Sequence, residues 1–258
     1  MRVLFVKQDH ASPAGLVGDA FAGLGYDVAE FTVVPAARYH SPSVTAEFPD
    51  PAGFDAIVYF GSAWSVYDPD TVGTWIGDEI ALARAAHSLG IPQLGICFGG
   101  QMLAAALGGS VARAPEPEIG WHVVETDAPG LIDAGPWFQW HIDRFTPPPS
   151  VPVLARTALA AQAFCLGRTL GLQFHPELTP AVLDCWLAAG GEAELAGLGV
   201  DAAELMARTR SLATGGAAAR TLELVRRFVT DVARRPAVTT VPATTEPAAN
   251  ATVVTSPA

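Results

Sequence analysis

Cys97 stands in Gly95-Ile96-Cys97-Phe98-Gly99-Gly100-Gln101, between glycines, after an apolar run (Ile91 to Ile96) and before a helix-forming run (Gln101 to Leu107). That order, strand then sharp turn then helix, is what a nucleophile needs to project from the carboxyl end of a strand. Gly95 and Gly99 leave room that side chains would fill. The free amides and positive dipole end of the following helix favour a thiolate over a thiol. The chemistry implied is nucleophilic attack by sulfur on an acyl carbon.

A sulfur nucleophile needs a proton partner. Gly171-Leu172-Gln173-Phe174-His175-Pro176-Glu177 supplies one, 78 residues downstream of Cys97. The run Thr169 to Phe174 predicts a strand, with His175 and Glu177 at its end. Residues two apart on an extended chain point the same way. Pro176 stiffens the link and biases His175 towards an extended backbone. Glu177 is then spaced to hold the imidazole in one tautomer and orientation.

The surrounding elements must bring these two stretches together. Val3 to Val6 reads as a strand, Pro13 to Leu24 as a helix capped by Ser12 and stopped by Gly25, and Asp27 to Val33 as a second strand. Pro35 to Gly53 is a loop. Ala56 to Phe60 is a buried strand ending at Gly61, and Thr74 to Leu89 is a helix closed by Gly90. The rhythm implies a mostly parallel α/β sheet flanked by helices, with ligands at the carboxyl strand ends. Gly61, Cys97 and His175 all fall there. From Val111 to Leu172 the pattern changes to short strands (Val123 to Thr126, Phe138 to Trp140, Val153 to Arg156, Ala163 to Leu166), an antiparallel extension with a rigid corner at Pro147-Pro148-Pro149. Pro180 to Ala189 reads as a closing helix. Three segments are expected: residues 1–190 as the catalytic unit, 191–235 as a helical appendage with an apolar stripe of Leu222, Leu224, Val225 and Phe228, and 236–258 as a disordered Pro/Ala/Thr-rich tail.

Half of the 258 residues are hydrophobic, enough for a large core, and the formal charge of −11 argues against a nucleic-acid partner. No window has the length of uninterrupted apolar residues that a membrane span needs. Met1 to Lys7 is too short for a signal peptide. Three widely spaced cysteines suggest a reducing, cytoplasmic setting, with Cys165 and Cys185 as ordinary thiols. The histidines show no spacing that predicts a metal site, and no cofactor is implied.

These motifs resemble the class I (triad-type) glutamine amidotransferases, whose pattern is Gly-x-Cys-x-Gly-x-Gln followed by His-Pro-Glu. Gly61-Ser62-Ala63-Trp64-Ser65-Val66-Tyr67-Asp68, Leu107-Gly108-Gly109, Glu118-Ile119-Gly120-Trp121 and Gln139-Trp140-His141-Ile142-Asp143-Arg144-Phe145 extend the likeness, towards the GMP-synthase amidotransferase branch. It covers roughly Arg2 to Ala189. It implies a flavodoxin-like fold and a Cys97-His175-Glu177 triad that releases ammonia and glutamate from glutamine through a γ-glutamyl thioester. It also implies oxyanion amides from Phe98 and the Gly61-Ser62 loop, and substrate contacts from Gln101, His141 and Asp143. Two departures stand out. The family's Gly-Gly-Pro is Gly61-Ser62-Ala63, and the glycine of its His-Gly-Asp is Ile142. Three readings remain open: a glutaminase serving a separate ammonia-accepting synthetase chain, a hydrolase of other γ-glutamyl peptides or amines, and a module with an idle triad. No nucleotide-binding loop of the glycine-rich, lysine-bearing kind follows residue 190.

Overall fold

The computed structural model describes residues 1–238, apart from the side chains of residues 214 and 215. Nine strands form one mixed sheet in the order β2-β1-β3-β4-β9-β8-β7-β5-β6. Its first half is parallel: β1 (Arg2–Lys7) lies between β2 (Asp27–Thr32) and β3 (Ala56–Tyr59), followed by β4 (Gln93–Ile96) and β9 (Thr169–Leu172). Beyond β9 the pairing turns antiparallel through β8 (Ala161–Leu166), β7 (Val153–Arg156), β5 (Ser110–Thr126) and β6 (Gly135–Thr146). This is the mostly parallel α/β sheet with an antiparallel extension that the strand and helix rhythm predicts, and it fits the fold that the resemblance to class I glutamine amidotransferases implies.

The inner parallel strands β1, β3, β4 and β9 are buried on both faces, so they read as continuous apolar runs whose alternate residues feed two cores, while the edge strand β2 has no fully buried residue. Val3, Phe5, Ala56 and Val58 pack with α1 (Gly15–Gly23) and α7 (Ala218–Arg227). Leu4, Val6, Ile57 and Tyr59 pack with α2 (Ile76–Ser88) and α3 (Phe98–Ala106). Fully burying a side chain such as Phe21, which meets Phe5 edge-on at 5.7 Å, contributes about 2 kcal/mol. A third core joins the β5–β6 hairpin, through Trp121 and Phe138, to α4 (Pro180–Trp186), α5 (Glu192–Gly197) and α6 (Ala202–Leu212).

Several boundaries differ from expectation, each for a physical reason. β5 and β6 form one long hairpin rather than short pieces; a register shift between Arg113 and Glu118 breaks the alternation that would have revealed it. Helix α3 starts at Phe98, three residues earlier than its apolar period suggests, because glycine has no period to read. Strand β9 ends at Leu172, and Gln173 instead donates its backbone N–H to Gln162 O at 2.9 Å. Ser12 does not cap α1, whose N-cap is Ala14; its hydroxyl donates to Gly61 O at 2.9 Å. On α7 the stripe is narrower than predicted: Leu224, Val225 and Phe228 are buried, while Leu222 is 49% exposed. From residue 239 the expected tail lies outside the described residues. Among the described residues no helix is long and apolar enough to cross a membrane.

Candidate active site

Cys97 is the N-cap of α3 and has φ 50° and ψ −109°, a conformation that costs a non-glycine residue about 1–3 kcal/mol. The backbone around it is over-determined. Its N–H donates to Leu172 O at 2.9 Å, and its carbonyl accepts Gln101 N–H at 2.9 Å. Close approach completes the turn: a β-carbon on Gly99 would collide with the Tyr59 carbonyl, and one on Gly100 with the Leu172 carbonyl. Glycine is therefore required here by packing as well as by the turn. As the first helical residue, Phe98 has no intrahelical acceptor for its N–H.

His175 follows β9 on a loop that is pinned to the hairpin by its N–H donating to Phe138 O at 2.8 Å. Its Nδ1 lies 2.7 Å from Glu177 Oε1, which assigns the proton on that nitrogen to the carboxylate side. The ring rests edge-on against Trp186, centroids 4.7 Å apart. Nε2 makes no protein hydrogen bond. Burial alone would lower the imidazole's pKa, but the Glu177 carboxylate and the nearby Cys97 sulfur outweigh it and raise the value to about 10. Gly61 is wedged between nucleophile and base: a β-carbon there would sit 3.0 Å from His175 Cε1 and 3.6 Å from Cys97 Cβ. The fold thus gathers Cys97, His175, Glu177 and Gly61 at the carboxyl ends of β3, β4 and β9.

A cavity of about 270 Å³ opens over them, lined also by Ser62, Gln101, His141 and Asp143. The polar atoms of those last residues are largely committed to the protein. Asp143 accepts hydrogen bonds from Ser65 Oγ and from Tyr67 Oη, the latter at 2.8 Å. Gln101 Nε2 donates to Asp143 O at 3.1 Å and to Gln173 Oε1 at 3.4 Å. His141 Nδ1 donates to Asp143 O at 2.9 Å, and Nε2 faces Glu118 Oε2 at 3.3 Å. Glu118 is itself buried. Burial would raise its pKa, yet His141 and the Thr157 hydroxyl hold it below the usual carboxylate range.

Sequence reasoning did not single out Gln173, whose Nε2 lies 3.8 Å from Cys97 Sγ, because it sits inside an apolar strand-like run. Nor did it find Asp9, Tyr39, Trp186 and Glu194, which line the cavity from loops and from α4 and α5 with no motif of their own. Trp140 stands inside a motif without a role assigned to it there; its carbonyl lies 3.8 Å from Cys97 Sγ. Among the described residues no group of three or more His, Cys, Asp or Glu side chains could hold a metal ion.

The pattern of class I glutamine amidotransferases matches residues 29–187. The chain is 40% identical over 132 residues to a glutamine-hydrolyzing GMP synthase of Thermomicrobium roseum, covering 47% of this chain and 23% of that one. It is 33% identical over 135 residues to a subunit of the glutamine-hydrolyzing GMP synthase of Sulfolobus acidocaldarius, covering 48% of this chain and 68% of the relative. It spans about a quarter of the length of the first of these relatives. A glutamine amidotransferase of Thermotoga maritima superposes with a TM-score of 0.76 at 26% identity, covering 90% of this chain and 99% of that structure. The likeness to a glutamine amidotransferase of Methylobacillus flagellatus, TM-score 0.77 at 23% identity, concerns the fold. This chain belongs to the class I glutamine amidotransferases.

Proposed function

We propose that this chain hydrolyses the side-chain amide of glutamine, with Cys97 as nucleophile, His175 as proton carrier and Glu177 as its orienting carboxylate. The observation that carries the reading is the His175 imidazole, bonded to Glu177 through Nδ1 and left with a free Nε2 beside the strained Cys97 elbow.

With its pKa raised to about 10, the His175 imidazole is protonated at neutral pH and ready to donate to a leaving group. The sulfur attacks the amide carbon. The oxyanion is held by the N–H of Phe98 and that of Ser62, which has no acceptor among the described residues. The imidazolium gives its Nε2 proton to the leaving nitrogen, the C–N bond breaks, and ammonia departs from a γ-glutamyl thioester. Neutral His175 then takes a proton from water as the hydroxyl adds to the thioester carbon. Glutamate leaves, and the thiolate and imidazolium are restored. Ser65 and Tyr67 hold Asp143, and through it the 141–143 segment that shapes the pocket around the γ-glutamyl group.

The ammonia would serve an acceptor enzyme on a separate chain. The Sulfolobus acidocaldarius relative, itself one subunit of a GMP synthase, offers a precedent for such a division. Ammonia release from glutamine by the wild type and by Cys97→Ala tests the proposal: loss of turnover in the variant is expected, and retained turnover would overturn it.

A further inference from the structure

The cavity extends past the reacting atoms, and its two ends differ in chemistry. One end is formed by Gln101, Ser65 and the 141–143 segment, next to Cys97. The other lies on the His175 side, where the leaving group receives its proton. Two independent pieces of chain converge on it. The loop after β1 is tied there by Ser12 Oγ donating to Gly61 O at 2.9 Å and by Leu16 N–H donating to Glu177 O at 3.0 Å. The segment after α4 is tied there by Trp186 against the imidazole. The first brings Asp9 to the cavity and the second brings Glu194.

Free ammonia needs nothing at this end beyond an exit. What is present is suited to a cation. Asp9 is 2% exposed and lines the cavity. Its Oδ1 accepts Ala11 N–H at 2.7 Å and the Ser12 hydroxyl at 3.3 Å, while Oδ2 accepts no hydrogen bond from the described residues. A carboxylate that lines the cavity with one oxygen free of protein donors can accept one from a ligand. Burial raises the Asp9 pKa, outweighing the Ala11 amide, His10, the Ser12 hydroxyl and Lys7, which favour the anion. Tyr39 lies between the two carboxylates, close enough that burial first, then Asp9 and Glu194, raise its phenol pKa. Tyr39 and Trp64, 5.7 Å apart, add ring faces that attract an alkylammonium. Among the described residues no lysine or arginine lines the cavity.

Resting on the thioester reading above, we infer a further activity: the site also cleaves γ-glutamyl amides of aliphatic diamines, holding the distal ammonium of the leaving amine between Asp9 and Glu194. The step balances as it does for glutamine. The Cys97 thiolate forms the C–S bond, the C–N bond breaks, His175 protonates the amine nitrogen, and water releases glutamate from the thioester.

Four amides test it with the purified full chain: glutamine, the mono-γ-glutamyl amide of diaminobutane, its neutral counterpart from pentylamine, and an anionic one from aminobutyric acid. The expected result is a kcat/KM for the diamine amide about tenfold or more above those for the neutral and anionic amides. Glu194→Gln, an exposed position that should not disturb folding, and Asp9→Asn, which keeps an acceptor for Ala11, should each lower the ratio of diamine to pentylamine amide by about tenfold. Cleavage of glutamine with equal or better use of the neutral or anionic amide overturns the amine subsite and leaves the thioester chemistry standing. An unchanged ratio in both variants also overturns it. Failure of the wild type to cleave any of the four amides, with no acyl group on Cys97, removes both readings.

Discussion

Two buried histidine–carboxylate pairs each bring a histidine to the cavity, and they are built differently. His175 and Glu177 are neighbours on a single loop, 2.7 Å apart, and the second ring nitrogen is left open beside Cys97. His141 and Glu118 face each other across the β5–β6 hairpin at 3.3 Å, and the second nitrogen is taken by Asp143 O. The ingredients are the same; what faces the nitrogen away from the carboxylate is not, a nucleophile in one pair and a backbone carbonyl in the other. One pair can carry a proton to and from a reacting atom. The other turns one nitrogen towards the Glu118 carboxylate without a hydrogen bond, gives the other to the Asp143 carbonyl, and braces the hairpin that carries Asp143. Proton chemistry thus depends on what the far nitrogen faces more than on the presence of a carboxylate.

Substitutions can break this contrast, and the largest effects fall on the open pair. His175→Asn should lower kcat for glutamine by about 10³–10⁴-fold, whereas His141→Asn should act mainly on KM and stability. Equal losses of kcat would erase the distinction. Glu177→Gln should cost less than His175→Asn, because it removes orientation and charge but leaves the proton carrier, and it should also move the pH profile. With the imidazole raised to about 10, activity that needs the imidazolium persists through neutral pH and falls as pH rises through about 10. Without the Glu177 charge that alkaline fall should shift to lower pH. The same linkage predicts that the pair's contribution to stability is full below the ordinary histidine value near 6.5 and is lost as pH rises towards about 10.

Glu118→Gln should leave the alkaline limb of kcat in place and instead cost about 3 kcal/mol in urea unfolding, since it strips a buried pair of its anion. The folded-state pKa of Glu118 lies below its ordinary value, so its stabilisation is present above about pH 4.5 and fades as pH falls through the lowered value. The smallest effect is expected at Glu79, a wholly buried carboxyl that accepts a hydrogen bond from Gln8 Nε2 at 2.8 Å. Burial raises its pKa to about 8. The sign is therefore opposite: stability drains away as pH rises from about 4.5 to about 8. Glu79→Gln should be neutral below that window and stabilising, by about 1–2 kcal/mol, above it. A destabilised variant at pH 8 would refute this account of Glu79.

The inner parallel strands were legible because burial on both faces writes itself as unbroken apolar runs, and the elbow was legible because only glycines fit against Tyr59 O and Leu172 O. The candidate triad was legible because Cys97, His175 and Glu177 each sit at a strand end, in motifs with fixed spacing. The long hairpin was obscured by the shift between Arg113 and Glu118, which takes its alternation out of phase. The cavity's far wall was silent for another reason. Asp9, Tyr39, Trp186 and Glu194 lie far apart in the chain, and only the docking of the β1–α1 loop and the α4–α5 segment on either side of His175 makes neighbours of them. Ser12 shows the same limit, since a residue that looks like a helix cap instead donates its hydroxyl to a carbonyl across the site.

The most direct test is acid quenching of the wild type during turnover of glutamine, followed by peptide mass mapping of all three cysteines. A γ-glutamyl group on the Cys97 peptide, increased by Glu177→Gln if deacylation slows more than acylation, is the predicted result. Ammonia release with Cys97 never acylated, or with the acyl group on Cys165 or Cys185, would contradict the account.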